Sequence, residues 1–462
     1  MKPMEEIMPI QPDRRTFLKA AAAGASALLA QPFLHAGESP RATKPNIVLI
    51  LADDLGYGDL GCYGQKMIPT PCLDRMAAEG LRFTSCYAGS TVCAPSRCCL
   101  MTGVHTGHAR IRGNDRVPLQ PEDATVAEAL KKAGYSTCLI GKWGLGEPGT
   151  TGIPNRKGFD EFFGYLNQKH AHNYFPEHLW HNEEMVELSG NLGMGRKEYS
   201  HDLFTDKAIE YLRKPHSNPF FLELAYTIPH ANNERGTFEG NGMEVPDLGK
   251  FKEKDWPEPE KGKAAMIARM DADIGRILDT LVQQGLDQET IVFFSSDNGP
   301  HHESHCDPDF FKSSGPFRGI KRDLYEGGIR VPMLVRWPGK IAPGGVSSHP
   351  WAFWDMLPTL CELAGAACPH GIDGQSIVPA LFGGDAPVHP FFYWEFHEKG
   401  LQQAVRMGSW KAVRKNPRES IELYHLEEDP GESRDISGNH PEIIADIENY
   451  LKTARIPSEH WH

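Results

Sequence analysis

The sequence predicts an α/β protein: an α/β/α sandwich around a large, mostly parallel mixed sheet, with a smaller C-terminal α+β domain carrying a short antiparallel sheet. Three observations lead there. Continuous apolar runs such as "NIVLILADD" (46–54) and "TIVFFSSDNG" (290–299) end in acidic or amide residues, the pattern of strands covered on both faces. Helix-period stretches lie between these runs, an alternation that builds parallel sheets. Past residue 385 the pattern shortens to "FFYWEF", "QAVRMGSWKAVR" and "ELYHL" before a closing helix.

The first 36 residues stand apart. Arg14 and Arg15 are followed by Phe17, Leu18 and Lys19, then by an Ala/Leu run from Ala20 to Ala30 that is too short to span a membrane. This resembles a twin-arginine export signal, with cleavage expected between Ala30 and Gly37. It implies the twin-arginine machinery as a partner, a periplasmic or secreted location, and no membrane span in the mature form. A main domain is expected over 44–385 and the small α+β domain over 386–462.

A formal charge of −13 argues against a nucleic-acid or anionic-membrane partner, because a field of that sign repels polyanions. The ten cysteines do not form a disulfide framework: seven fall between Cys62 and Cys138 at irregular spacing. Cys98 and Cys99 read as buried apolar residues on a helix, and Cys361 and Cys368 are the pair able to join after export.

Within the main domain, "ATVAEALKKAGYSTCLIGKWG" reads as a helix stopped by Gly134, then a strand and a turn. "NPFFLELAYTIPH" reads as an apolar strand ending at His230. From Lys263 to Gln284, Met266, Ile267, Met270, Ile274, Ile277, Leu278 and Leu281 fall on one helical face. The polar stretches 169–191 and 232–259 read as long surface loops that shape a binding cleft.

Three constellations carry chemistry. Asp53 and Asp54 follow one strand, Asp297 and Asn298 another, and together they offer oxygen ligands for a hard cation, Ca²⁺ or Mg²⁺. Each pair has a plain alternative, since "ADD" suits a helix N-cap and "DNG" a turn. In "TVCAPSRCCLMTG" (91–103), Pro95 fits a first helical turn, so Cys93 sits at its positive end with Arg97 beside it. That thiol could be a disulfide half, a nucleophile, a metal ligand or the precursor of another group. The Cys–Arg spacing is two residues short of a cysteine phosphatase loop. Lys142, His230 and Lys321 follow at strand ends or nearby loops; converging, they would bind a tetrahedral anion and protonate a leaving oxygen.

"CAPSRCCLMTG" and "GYSTCLIGKWG" resemble the two signature segments of the formylglycine-dependent (type I) sulfatases, of the alkaline-phosphatase-like superfamily. "NIVLILADDLGYGDLGCYG", "GFDEFFGY", "SSDNGP" and "RGIKRDLYEGGIRVPMLVRWPG" are similar to further motifs of that family, in the same order. The resemblance runs from about Pro45 to Tyr424. It implies that Cys93 is oxidised to 3-oxoalanine (formylglycine) by a formylglycine-generating enzyme acting on the unfolded chain. It also implies that Asp53, Asp54, Asp297 and Asn298 bind one Ca²⁺ together with residue 93. Arg97 would hold the hydrate of residue 93, while Lys142, His230 and Lys321 hold the sulfate and one of them protonates the departing alcohol.

One position departs from the pattern. Where many members of the family read "GKWH", this chain has Gly144, so either another group accepts the proton when sulfate is expelled or that step is slow. The candidates are His105, His108, His170 and His172, with His172 favoured. The expected function is a sulfuric ester hydrolase, with a sulfated carbohydrate such as a galactose or N-acetylgalactosamine sulfate, or a small sulfate ester, as substrate. The alternatives are a phosphate or phosphonate monoester hydrolase and a non-catalytic sulfated-glycan-binding protein.

Overall fold

Strand β1 (Asn46–Ala52) shows how the two faces of the sheet are specified. Its side chains alternate: Ile47, Leu49 and Leu51 enter one core, while Val48, Ile50 and Ala52 enter a second core on the opposite face. A strand buried on both sides has no polar face to show, which is why the run is apolar throughout. The structure, a computed structural model, describes residues 44–462; the expected export signal lies outside the described residues.

Among the described residues eleven strands form the main sheet. After β1 come β2 (Leu81–Tyr87), β3 (Ser136–Lys142), β4 (Glu161–Tyr165), β5 (His178–His181), β6 (Glu184–Glu187), β7 (Phe220–Ala225), β8 (Thr290–Ser296), β9 (Arg330–Arg336), β10 (Gly345–Ser347) and β11 (Trp351–Ala352). The order is β10-β2-β9-β8-β1-β7-β3-β4-β5-β6, with β11 also on β2. The central block β8-β1-β7-β3-β4 is parallel, and antiparallel pairs appear at β8–β9, β9–β2, β4–β5 and β5–β6.

Helices cover both faces. α1 (Pro71–Glu79), α4 (Ser200–Arg213) and α6 (Glu258–Gln283) supply the core that contains Val48, while α2 (Cys93–Thr102), α3 (Val126–Lys132) and α8 (Met356–Ala364) supply the other. Each starts or stops for a local reason. In α3, Thr125 and Glu128 form a reciprocal capping box, and α2 ends at Gly103, whose φ of 71° only glycine adopts readily. The remaining short helices are α5 (Asn233–Glu239), α7 (Glu326–Ile329) and α9 (Val378–Leu381).

The C-terminal segment is an antiparallel sheet in the order β12 (Phe392–Phe396), β13 (Gln402–Met407), β14 (Trp410–Arg414), β15 (Glu422–His425), closed by α10 (Pro441–Leu451). It too is two-faced. Phe392, Trp394 and Phe396 join the main core, whereas Tyr393, Val405 and Ala412 pack with Ile447 and Leu451 of α10. Residues 44–462 form one compact unit.

The polar stretches read as loops hold more structure than that. The β5–β6 hairpin extends the sheet from within 169–191, and α5 lies within 232–259. Their side chains are mostly polar, so no apolar period marked them. His230 also lies five residues past the end of β7 rather than at it. Cys98 and Cys99 are buried as expected, and Cys361 and Cys368 are both free thiols.

Candidate active site

The residues picked out by the sequence converge above the carboxyl ends of four adjacent strands, β8, β1, β7 and β3, the place where open α/β sheets bind ligands. Asp53 and Asp54 leave β1, Asp297 and Asn298 leave β8, Lys142 closes β3, and His230 follows β7. Cys93 and Arg97 arrive on the first turn and a half of α2, and Lys321 on the loop before α7. Asp54 turns the chain with a φ of 64°, a strained value for an aspartate, and its N–H donates to Asp297 Oδ1 at 3.1 Å.

Each carboxylate has a fixed cation. Lys142 Nζ donates to Asp53 Oδ2 at 2.6 Å, Lys321 Nζ to Asp54 Oδ2 at 2.7 Å, and Arg97 to Asp297 Oδ2 through Nε at 3.1 Å and Nη2 at 2.8 Å. Arg97 Nη1 also donates to the Lys142 carbonyl at 2.9 Å. All of these groups are buried, where Coulomb interactions are strong. Burial opposes ionisation of Asp53, yet Lys142 and the other cations outweigh it and hold the carboxyl far below its usual range. Asp297 goes the other way: burial, then the neighbouring Asp53 charge, push it up to about 7 despite Arg97.

The thiol of Cys93 donates to Asp53 Oδ1 at 3.2 Å. Burial, then Asp297 and Asp53, push its ionisation well above the usual thiol range. A thiolate nucleophile is therefore disfavoured here, because Arg97 is committed to Asp297 and the nearest charges are negative. A disulfide is excluded for the thiol as it stands, since Cys93 is free.

The donor set fits a hard cation. Asn298 Nδ2 donates to Asp54 Oδ1 at 2.7 Å, but Asn298 Oδ1 is buried and has no partner. An orphaned amide oxygen among three carboxylates is costly unless a cation takes its lone pairs, and an all-oxygen set suits Ca²⁺ or Mg²⁺. Against those carboxylates stand Arg97, Lys142 and Lys321. The cluster is balanced by itself and becomes positive once a divalent ion enters, which suits an anionic substrate.

His230 donates from Nδ1 to the Ala231 carbonyl at 2.6 Å, and its Nε2 accepts from Lys321 Nζ at 3.0 Å. Burial, then Lys321, push its ring down to about 3, so it is neutral. Among the four histidines considered for the missing base, His172 reaches this cluster. It stacks on His230 at 4.6 Å and donates from Nδ1 to Glu234 Oε2 at 3.1 Å. His105 and His108 instead stack on each other at 4.3 Å over Asp373, and His170 lies tilted against His178 at 4.4 Å. At Gly144, φ is 83° and a Cβ would lie 2.2 Å from Gln168 Nε2, so Gln168 fills the space a side chain would use.

Two contributors were missed from the sequence. Glu303 approaches Lys321 Nζ at 3.5 Å and His230 Nε2 at 3.6 Å, and Arg322 Nη1 donates to it at 2.6 Å. His301 donates from Nε2 to the Pro229 carbonyl at 3.1 Å, tying the loop after β8 to the loop after β7. Both lie in "NGPHHES", just past the "DNG" signal, and a search for titratable residues there would have found them.

Comparison with known proteins gives the family. The sulfatase family model matches residues 45–366, and that of the N-sulphoglucosamine sulphohydrolase C-terminal region matches 318–456. An arylsulfatase of Hemicentrotus pulcherrimus is 33% identical over 83% of this chain and 70% of its own. N-acetylgalactosamine-6-sulfatase of Canis lupus familiaris is 33% identical over 85% of this chain and 76% of its own. Among solved structures, Ps i-CgsB in complex with k-i-k-neocarrahexaose superposes with a TM-score of 0.79 at 28% identity, covering 91% of this chain and 95% of that one. With family match, relatives and fold in agreement, the chain belongs to the sulfatase family and is a sulfuric ester hydrolase.

Proposed function

We propose that this chain is an exported, Ca²⁺-dependent sulfatase acting through 3-oxoalanine at position 93, with a sulfated carbohydrate of the galactose or N-acetylgalactosamine type as substrate. The observation that carries the metal reading is the buried, unpartnered Asn298 Oδ1 beside Asp53, Asp54 and Asp297. The carbohydrate reading is supported by the relatives named N-acetylgalactosamine-6-sulfatase and by the neocarrahexaose complex of Ps i-CgsB. Once in place, the cation would supply Lewis acidity, and the water adduct of the aldehyde a hydroxyl able to attack sulfur.

The chain's own residues do the rest. Asp53, Asp54, Asp297 and Asn298 hold the ion; Arg97 balances Asp297 and fixes the mouth of α2. Lys142 and Lys321 face the sulfate oxygens with two positive charges that are already buried and paid no further desolvation when substrate enters. The Lys321–His230 pair carries its mobile proton on Lys321, because His230 Nδ1–H is held by a carbonyl and Nε2 accepts. Lys321 therefore delivers the proton to the departing alcohol. His172, aligned by Glu234, takes the proton released when sulfate leaves, the task for which position 144 has no side chain.

The test is direct. Protein purified from its native host is mapped at residue 93 by mass spectrometry, its calcium is counted, and hydrolysis of 4-nitrophenyl sulfate is compared with 4-nitrophenyl phosphate. An aldehyde at 93, one calcium per chain and preference for the sulfate ester are expected; an unmodified thiol in a fully active preparation overturns the reading.

A further inference from the structure

Beside the sulfate pocket lies an open cleft of about 670 Å³, within the size range of ligand sites, lined in part by Lys169, His178, Met194, Glu234 and Phe238. Two of its walls are unusual. Phe238 and Met194 are each 88% exposed, the most exposed large apolar side chains described, and both line this one cleft. Single exposed apolar residues are ordinary, but two facing one cavity mark a binding surface. Met194 is held at a φ of 69°, a left-handed value disfavoured for methionine.

The cleft is wired to the reaction site. Glu234 and Phe238 are four residues apart on α5, hence on one helix face a turn apart, about 5–6 Å. Glu234 accepts from His172 at 3.1 Å, and His172 stacks on His230 at 4.6 Å, which in turn accepts from Lys321. A group stacked on Phe238 is thus linked to Lys321 through Glu234, His172 and His230 in turn. Two of the cleft's arginines are paired, Arg196 with Glu244 and Arg235 with Glu239 and Glu244, while Lys169 and Glu177 add charge to its wall. What it offers is an aromatic face, a thioether, imidazoles and amides, which suits the apolar C–H face and hydroxyl rim of a pyranose.

We propose that this cleft is a subsite for a pyranose ring of the glycan that bears the sulfate, with Phe238 as its stacking platform, so that Phe238 sets the preference for saccharide over small aryl sulfates. The proposal rests on the sulfatase reading above. Its test uses full-length matured protein, 4-nitrophenyl sulfate, and a panel of chondroitin sulfate and carrageenan tetrasaccharides with the matching monosaccharide sulfates. Wild type should favour a tetrasaccharide over its monosaccharide. Phe238→Ala should raise KM for that tetrasaccharide about 10-fold, with Met194→Ala acting in the same direction, while 4-nitrophenyl sulfate turnover is unchanged. Equal treatment of tetrasaccharide and monosaccharide by wild type, an unchanged saccharide KM in both variants, or a parallel loss on the aryl ester overturns the subsite. Wild type that hydrolyses the aryl ester and no saccharide also overturns it but leaves the sulfatase reading standing. Failure on both substrate classes removes that reading and the subsite with it.

Discussion

Lys321 Nζ lies 3.0 Å from His230 Nε2 while donating to Asp54 Oδ2 at 2.7 Å, so one ammonium group links the Asp54 carboxylate to the buried His230 imidazole. Lys321→Ala should lower kcat/KM for a sugar sulfate roughly 100-fold or more, within the range for a lost general acid. The loss should be smaller for 4-nitrophenyl sulfate, whose leaving group needs no proton. A leaving-group series on the variant checks this; equal losses on alkyl and nitrophenyl esters would assign Lys321 to binding alone.

The raised Asp297 carboxyl gives the metal-free protein a defined pH dependence. Its folded-state value of about 7 lies above the ordinary 3.8. Between these values the folded protein keeps a proton that the unfolded chain has lost, so this group's contribution to stability falls as pH rises from about 4 to about 7. On the proposed calcium reading the ion would pair with the carboxylates and remove this cause, so added Ca²⁺ should raise Tm more at pH 8 than at pH 5. Asp297→Asn should flatten the pH dependence of the metal-free protein. Thermal melts with and without chelator, at both pH values, check both statements.

Gly144 and Gln168 share one space. Gln168 Nε2 is the far end of a flexible side chain and has no hydrogen-bond partner, so it can swing aside. Gly144→Ala should therefore cost mainly the left-handed backbone, about 1–2 kcal/mol. Gln168→Ala alone should change Tm little. The double variant should be no less stable than Gly144→Ala. Denaturant titration of the three proteins separates backbone strain from crowding, and a double variant markedly more stable than Gly144→Ala would show that Gln168 does not yield.

Lys411 anchors the C-terminal sheet. Its Nζ is fully buried and donates to Glu326 Oε1 at 2.9 Å and Glu432 Oε1 at 3.3 Å. The two carboxyls sharing it diverge: burial opposes both, but Lys411 and Arg330 hold Glu326 down to about 2, while burial pushes Glu432 up to about 7. Lys411→Met leaves Glu432 without its cation and Glu326 with Arg330 alone, and should cost about 3–5 kcal/mol. Because Glu326 opens α7, five residues after Lys321, the same variant should raise KM for sulfate esters; a lower Tm with unchanged KM would show that the anchor does not reach the site.

Much of the site was legible because chemistry and topology coincide. Apolar strands that end in "ADD" and "SSDNG" announce both a parallel sheet and the edge where its ligands gather, and Pro95 placed Cys93 at a helix start. The β5–β6 hairpin and α5 were hidden because they lie at the sheet edge and cleft wall, where polar side chains carry no period. Glu303 could be picked out as a titratable residue past "DNG", but its partners could not. Lys321 and His230 come from other loops, and only the packed chain brings them within 4 Å. The Gln168–Gly144 exchange was visible only as a vacancy, since the residue that fills it lies on the far side of β4.

The pairing of β1 with β8 sets a clock for the chain as it is made. Asn46 lies opposite Thr290, and Arg97 meets Asp297 two hundred residues downstream. At ribosomal speeds of about 5–20 residues per second, those two hundred residues take roughly 10–40 s to emerge. Through that interval the wall that finally seals residue 93 has yet to be synthesised, so an enzyme that oxidised Cys93 on the unfolded chain would have tens of seconds of open access before strand insertion shuts the door.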